Sequence, residues 1–112
     1  MRNDVLDLEQ LRNATLEDQD LMREIVGALI DDTARQIGAL HRAILNEDAN
    51  ECMRLAHYSK GACASVGARS SAELFQGIER RAASGDFAAC RESLRRLTGE
   101  LEKLRAQALA AL

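Results

Sequence analysis

Residues 86–111 read DFAACRESLRRLTGELEKLRAQALAA. Within them Phe87, Cys90, Leu94, Leu97, Leu101, Leu104, Ala108 and Ala111 follow one another at alternating steps of three and four. That spacing keeps the side chains on one face of an α-helix and draws an apolar seam along it. Two architectures bury such a seam: a dimeric coiled coil, or a long helix inside an intramolecular bundle. The rest of the chain favours the bundle, because it supplies partner helices joined by short links.

Working back from that helix, Asp86 is its cap and Gly85 stops the helix before it. Ser70 and Glu73 read as a capping box for this fourth helix, which runs through Leu74, Ile78 and Ala82. Gly67 stops a third helix that ends near Val66 and starts at Asp48, with Glu51 three residues on. A second helix carries Met22, Ile25, Leu29, Ile37, Leu40 and Ile44 at helical spacing and ends near Asn46. Its start is placed at Thr15, with Asp18 in the third position. A short first helix spans Val5 to Leu11 behind Asp4. The expected fold is all-α: an antiparallel up-down four-helix bundle with a short additional N-terminal helix, residues 1–112 forming a single domain.

Composition supports this and narrows the function. The 112 residues include no proline and only 3% aromatics, which argues against a turn-rich β fold. The net charge of −3 hides an asymmetry: residues 1–56 hold 6 basic and 12 acidic groups, residues 57–112 hold 9 and 6. Neither a concentrated basic face nor an aromatic stacking platform announces nucleic-acid binding. The longest run without a charged residue, Gly61 to Ala68, is far short of a bilayer span. No apolar leader follows Met1-Arg2-Asn3-Asp4, so a soluble, cytoplasmic protein with no membrane partner is expected. Cys52, Cys63 and Cys90 form no C-x-x-C pair; they read as small core side chains in a reducing compartment, with no metal site.

Two histidines are candidates for chemistry. His41 stands beside Arg42 with no clustered partner and reads as a solvated surface residue. On a helical wheel of ~100° per residue, His57 lies opposite Leu55, Ser59, Ala62, Cys63 and Val66, the face expected to be buried. Arg54, Lys60, Gly61 and Ala64 fall within about 60° of His57 by the same count. The imidazole therefore points outward, between two cations and beside a patch almost free of side chains. An outward nucleophilic ring, a nearby ammonium and a cleared approach suit transient phosphorylation of a ring nitrogen. With the turn between the third and fourth helices near Ala68, antiparallel partners have numbers summing to about 136. That register sets His57 opposite Glu79 and Lys60 opposite Gln76. A carboxylate on the near ring nitrogen would fix the tautomer and leave the far one free.

The stretch Ala56-His57-Tyr58-Ser59-Lys60-Gly61-Ala62-Cys63-Ala64-Ser65-Val66-Gly67-Ala68 resembles the signature of histidine-containing phosphotransfer (HPt) domains. The later Leu74…Ile78-Glu79, Gly85-Asp86 and leucine-spaced helix follow the same family's course. The resemblance implies His57 as the phosphoacceptor at the ring nitrogen farther from the backbone. It implies Lys60 as the residue that offsets phosphoryl charge, Gly61 as the gap for a partner domain, and Gly67 as the turn glycine. Glu79 falls where the family places a polar residue that hydrogen-bonds the other ring nitrogen. Two positions depart from the pattern. Ser59 stands where leucine is usual, its hydroxyl expected to bond the carbonyl one turn back. Ser65 stands where asparagine is frequent.

The expectation is a phosphorelay intermediate, a monomer that takes a phosphoryl group from a receiver-domain aspartate onto His57 and hands it to another receiver. Gly61, Ala64 and Arg54 form the docking face. Partners would be response-regulator receivers and a hybrid sensor histidine kinase. The chain would bind no cofactor; Mg²⁺ would belong to the receiver. With no glycine-rich phosphate loop, it would not phosphorylate itself from ATP and is not an enzyme in the usual sense. The alternative is a helical interaction module that binds or sequesters a receiver or kinase without transfer. A homodimeric scaffold built on the final seam, or the dimeric histidine domain of a sensor kinase, are further rivals. The last of these would put an acidic residue directly after the histidine, where this chain has Tyr58.

Overall fold

Aspartates open four of the five helices. Asp7, Asp18, Asp48 and Asp86 each accept a hydrogen bond at 3.1 Å from the backbone N–H three residues on, at Gln10, Leu21, Glu51 and Ala89. In this computed structural model, which describes residues 4–112, the elements are α1 (Leu8–Ala14), α2 (Gln19–Leu45), α3 (Ala49–Val66), α4 (Arg69–Ala83) and α5 (Phe87–Ala111). The Met1-Arg2-Asn3 start lies outside the described residues. Tight links reverse the chain between successive long helices. Packing joins α2 to α3, α3 to α4, α4 to α5 and α5 back to α2, which is the antiparallel four-helix bundle.

The seam of α5 is buried inside the chain. Cys90, Leu94, Leu97, Leu101 and Leu104 meet Val26, Leu40 and Ile44 of α2, Cys52 and Cys63 of α3, and Phe75 and Ile78 of α4 in one core. Phe87 and Ala108 pack on its edges, and Ala111 is exposed where the seam runs out. Each fully buried leucine or isoleucine contributes about 1.5–3 kcal/mol. All three cysteines are buried and free, and burial pushes the Cys52 and Cys63 thiols up to about 11.

The starts of the first, second and fourth helices read from the sequence are displaced or differently made, and one long-range feature explains most of this. The first helix begins at Leu8, not Val5, because Asp4–Asp7 is strapped over the α3–α4 turn. The Asp7 N–H donates to the Gly67 carbonyl at 2.9 Å, the Ser70 N–H donates to the Asp4 carbonyl at 2.8 Å, and Leu6 is fully buried. That second bond supplies a partner for a first-turn N–H of α4. Its N-cap is therefore Ala68 with no side-chain cap, and Ser70 sits inside the helix rather than capping it. Arg69 adds an ion pair to Asp7 at 2.7 Å. Thr15 does not open α2; it closes α1, its buried hydroxyl donating to the Leu11 carbonyl at 2.8 Å. Leu16 and Glu17 then take left-handed conformations, φ 52° and 62°, before Asp18 caps α2.

Gly67 ends α3 in the left-handed region at φ 95°. A side chain there would also stand 3.1 Å from the Asp7 carbonyl oxygen, so the turn and the strap both require glycine. The strap further supplies Gln10, whose amide donates to the Ala64 and Ser65 carbonyls at 3.0 and 3.4 Å and caps the end of α3.

Candidate functional site

The buried face of α3 is Cys52, Leu55, Ala56, Ser59 and Cys63, while Ala62 and Val66 are only half-buried. The inward arc is thus rotated toward Cys52 and Ala56, because α3 packs most closely on α4 rather than centrally between its neighbours. His57 keeps its outward place, with 69% of its side chain exposed. Arg54, Gly61 and Ala64 share its exposed strip. A side chain at Gly61 would meet nothing within 4 Å, so the strip is open beside the ring. Arg54 does not reach along it freely, since its guanidinium grips the Glu51 carboxylate through both terminal and inner nitrogens.

The antiparallel run of α4 brings Glu79 to this strip. One carboxylate oxygen lies 3.0 Å from His57 Nδ1 and the other 3.1 Å from Lys60 Nζ. A carboxylate only accepts, so Nδ1 carries the ring proton and donates it toward Glu79. In the neutral ring the lone pair then sits on Nε2, for which no hydrogen-bond partner occurs among the described residues. Lys60 does not pair with Gln76 as the register suggested. Its four-carbon stem reaches the second Glu79 oxygen, a stronger acceptor than an amide. Partial burial works to raise the Glu79 carboxyl, but hydrogen bonds from Lys60 and His57 outweigh it and hold the group below its ordinary value.

On the other side of α3 the structure adds two residues the sequence did not single out. The Tyr58 phenol, exposed beside His57, lies near the Asp32 carboxylate of α2, which pushes the phenol pKa upward. Arg35 pairs with Asp32 at 3.4 Å. No local pattern links residues 26 positions apart; only the α2–α3 packing does. The two departures from the family pattern also differ from one another. Ser65 donates to the Ala62 carbonyl at 2.9 Å. Ser59 is buried, and its hydroxyl has no partner, so the expected bond to the preceding turn is not made. Its oxygen faces the packed interior rather than a free backbone carbonyl.

His41 lies elsewhere, exposed in a shallow α2–α5 groove with Gly38, Arg42, Arg91 and Arg95, and has no carboxylate partner. Among the described residues no group of three or more His, Cys, Asp or Glu could hold a metal ion. No helix there is long and apolar enough to cross a membrane.

No curated protein matches the chain in sequence. Among solved structures, the fold is similar to that of histidine-containing phosphotransfer protein B (HptB) from Pseudomonas aeruginosa. The TM-score is 0.86 at 21% identity, over 94% of this chain and 91% of that one. The Hpt domain family matches residues 24–107, which holds all of α3, α4 and the His57 strip and most of α2 and α5. With three quarters of its length under that match, the chain belongs to the Hpt domain family, the histidine phosphocarriers of phosphorelays.

Proposed function

We propose that His57 accepts a phosphoryl group from a receiver-domain aspartyl phosphate and passes it to a second receiver. One observation carries this reading: an exposed imidazole whose Nδ1 is held at 3.0 Å by a carboxylate, with Nε2 left open. In the forward step the Nε2 lone pair attacks phosphorus. The new N–P bond forms as the P–O bond to the aspartate breaks, and the carboxylate leaves with the electron pair. The proton on Nδ1 stays between the ring and Glu79, whose carboxylate balances the positive charge the ring acquires. In the onward step a second receiver's carboxylate attacks phosphorus and the N–P bond breaks, restoring the neutral ring.

Glu79 is the positioning residue in this scheme, since it sets the tautomer. Lys60, tied to the same carboxylate, keeps an ammonium near the ring, where it offsets part of the phosphoryl charge. Gly61 and Ala64, with Arg54 at the margin, form the surface on which the receiver docks. The Mg²⁺ that acyl-phosphate chemistry uses would sit on the receiver. The test is incubation with a panel of phosphorylated receivers, reading acid-labile label on this chain. Label should appear on wild type and vanish with His57→Gln; label that survives this change refutes the assignment.

A further inference from the structure

A second surface lies on the opposite flank of α4. Ser70, Leu74, Gly77 and Arg81 recur every three or four residues and face α5 across a groove of about 540 Å³. Glu79 stands roughly 160–200° round the helix from Gly77 and Arg81, on the side facing α3. The groove and the His57 strip are therefore separate and can be occupied together.

Its walls are cationic. Arg81 comes from α4, and Arg95, Arg96 and Lys103 from α5. Arg81 and Arg96 make no ion pair among the described residues, whereas Arg95 pairs with Glu92 at 2.6 Å and Lys103 with Glu100 at 3.4 Å. Gly77 and Gly99 line the groove, each inside a helix, where glycine is destabilising relative to alanine. Gly77 has only a soft internal reason: a side chain there would stand 2.8 Å from the tip of the Arg81 side chain, which is flexible and can move aside. Gly99 has none, for a side chain there would meet nothing within 4 Å. Gly61, beside His57, and Gly27 inside α2 are open in the same way. A helix-weakening residue that the chain's own packing does not require leaves space for something outside the chain.

We propose that the α4–α5 groove is a docking channel for an acidic polypeptide segment of a partner protein. Its carboxylates would pair with Arg81 and Arg96, and with Arg95 and Lys103 in exchange for Glu92 and Glu100, and its backbone would lie over Gly99. The charge balance of the groove favours a peptide over denser polyanions. Glu73 and Glu100 also line it, and the whole chain carries −3. Both features oppose a phosphate backbone or an anionic membrane, whereas a segment with spaced carboxylates can place each charge against a cation.

The experiment titrates the full chain with a synthetic glutamate-rich peptide at low salt, following binding by NMR. The expected result is saturable binding, with shifts confined to α4 and α5 residues around Gly77 and Gly99, weakened severalfold by physiological salt. Arg95→Glu with Arg96→Glu should weaken it at least tenfold. Gly99→Leu should block it by filling the groove, while Gly99→Ala should leave the fold at least as stable. Absent binding, binding unchanged by these substitutions, or equal affinity for a DNA duplex or phosphatidylserine vesicles would each overturn the proposal. Labelling of His57 by phosphorylated receivers, measured on the same variants, is a separate readout. Its failure in wild type would refute the phosphotransfer reading and leave the groove result standing.

Discussion

The two histidines stand on similar helix exteriors and differ in what the neighbouring helix offers. His57 on α3 faces a carboxylate on α4, an ammonium one turn along its own helix, and an open glycine strip. His41 on α2 faces the cations Arg91 and Arg95 of α5 and has no acidic partner. No carboxylate there fixes the tautomer of the ring. Exposure alone does not distinguish the two nitrogens of a ring. The cross-helix carboxylate does, by committing the proton to one nitrogen and the lone pair to the other.

The strongest way to break the comparison is to exchange the rings for amides. His57→Gln should remove all acid-labile phosphate uptake from receivers, and His41→Gln should leave it unchanged; uptake dependent on His41 would invert the assignment. Crowding the open strip comes next. Gly61→Gln adds a side chain where none is met within the chain. Transfer should fall on the order of a hundredfold through misplaced docking, while the melting temperature holds or rises, glutamine being the better helix former. Equal transfer rates in the two proteins would mean that the receiver approaches from another side.

Lys60→Ala sharpens the electrostatic part. A partly exposed ammonium beside a phosphoryl group contributes on the order of 1 kcal/mol. Transfer rate or phosphohistidine lifetime should therefore drop by about tenfold or less, with the gap narrowing at high salt. A mutant matching wild type in both quantities at low salt removes Lys60 from the mechanism.

The Glu79 contact has an acid limb that His41 lacks. Because Lys60 and His57 hold the folded-state carboxyl below its ordinary value of 4.5, the pairing adds stability above that pH. That stability is lost as pH falls through the depressed folded value. Denaturant midpoints measured across this window should decline less steeply for Glu79→Gln than for wild type. Parallel curves would show that the contact contributes nothing to the fold. The smallest effect concerns Ser59, buried with an unpaired hydroxyl. Ser59→Ala removes that group and should stabilise the bundle by about 1 kcal/mol, read as a melting temperature a few degrees higher with transfer unchanged.

The features legible in the sequence are the ones made by residues within a turn of one another. Asp48, Asp86 and Gly67 mark helix ends because a cap bonds three residues on and a left-handed stop needs only the local backbone. The seam of α5 announces a buried face for the same reason, its steps of three and four being a property of one helix. The outward place of His57 followed from the wheel, and its opposition to Glu79 from connectivity alone, since a tight turn near Ala68 pins the register of two antiparallel helices.

What only the tertiary structure decided are the bonds that cross between segments. The Asp4–Asp7 strap supplies an N–H at the start of α4 with a partner from the far end of the chain, so no capping serine is needed and the start of α1 moves. Gln10 caps α3 from 54 residues away. Lys60 reaches Glu79 rather than Gln76 because a carboxylate has two oxygens and a long flexible stem selects the stronger acceptor within its arc. The Tyr58–Asp32 pair and the glycine-lined groove between α4 and α5 exist only where two helices pack. Local spacing encodes which way a side chain faces. Which atom it finds there depends on how far neighbouring helices slide and rotate, and the packing of the whole core sets that.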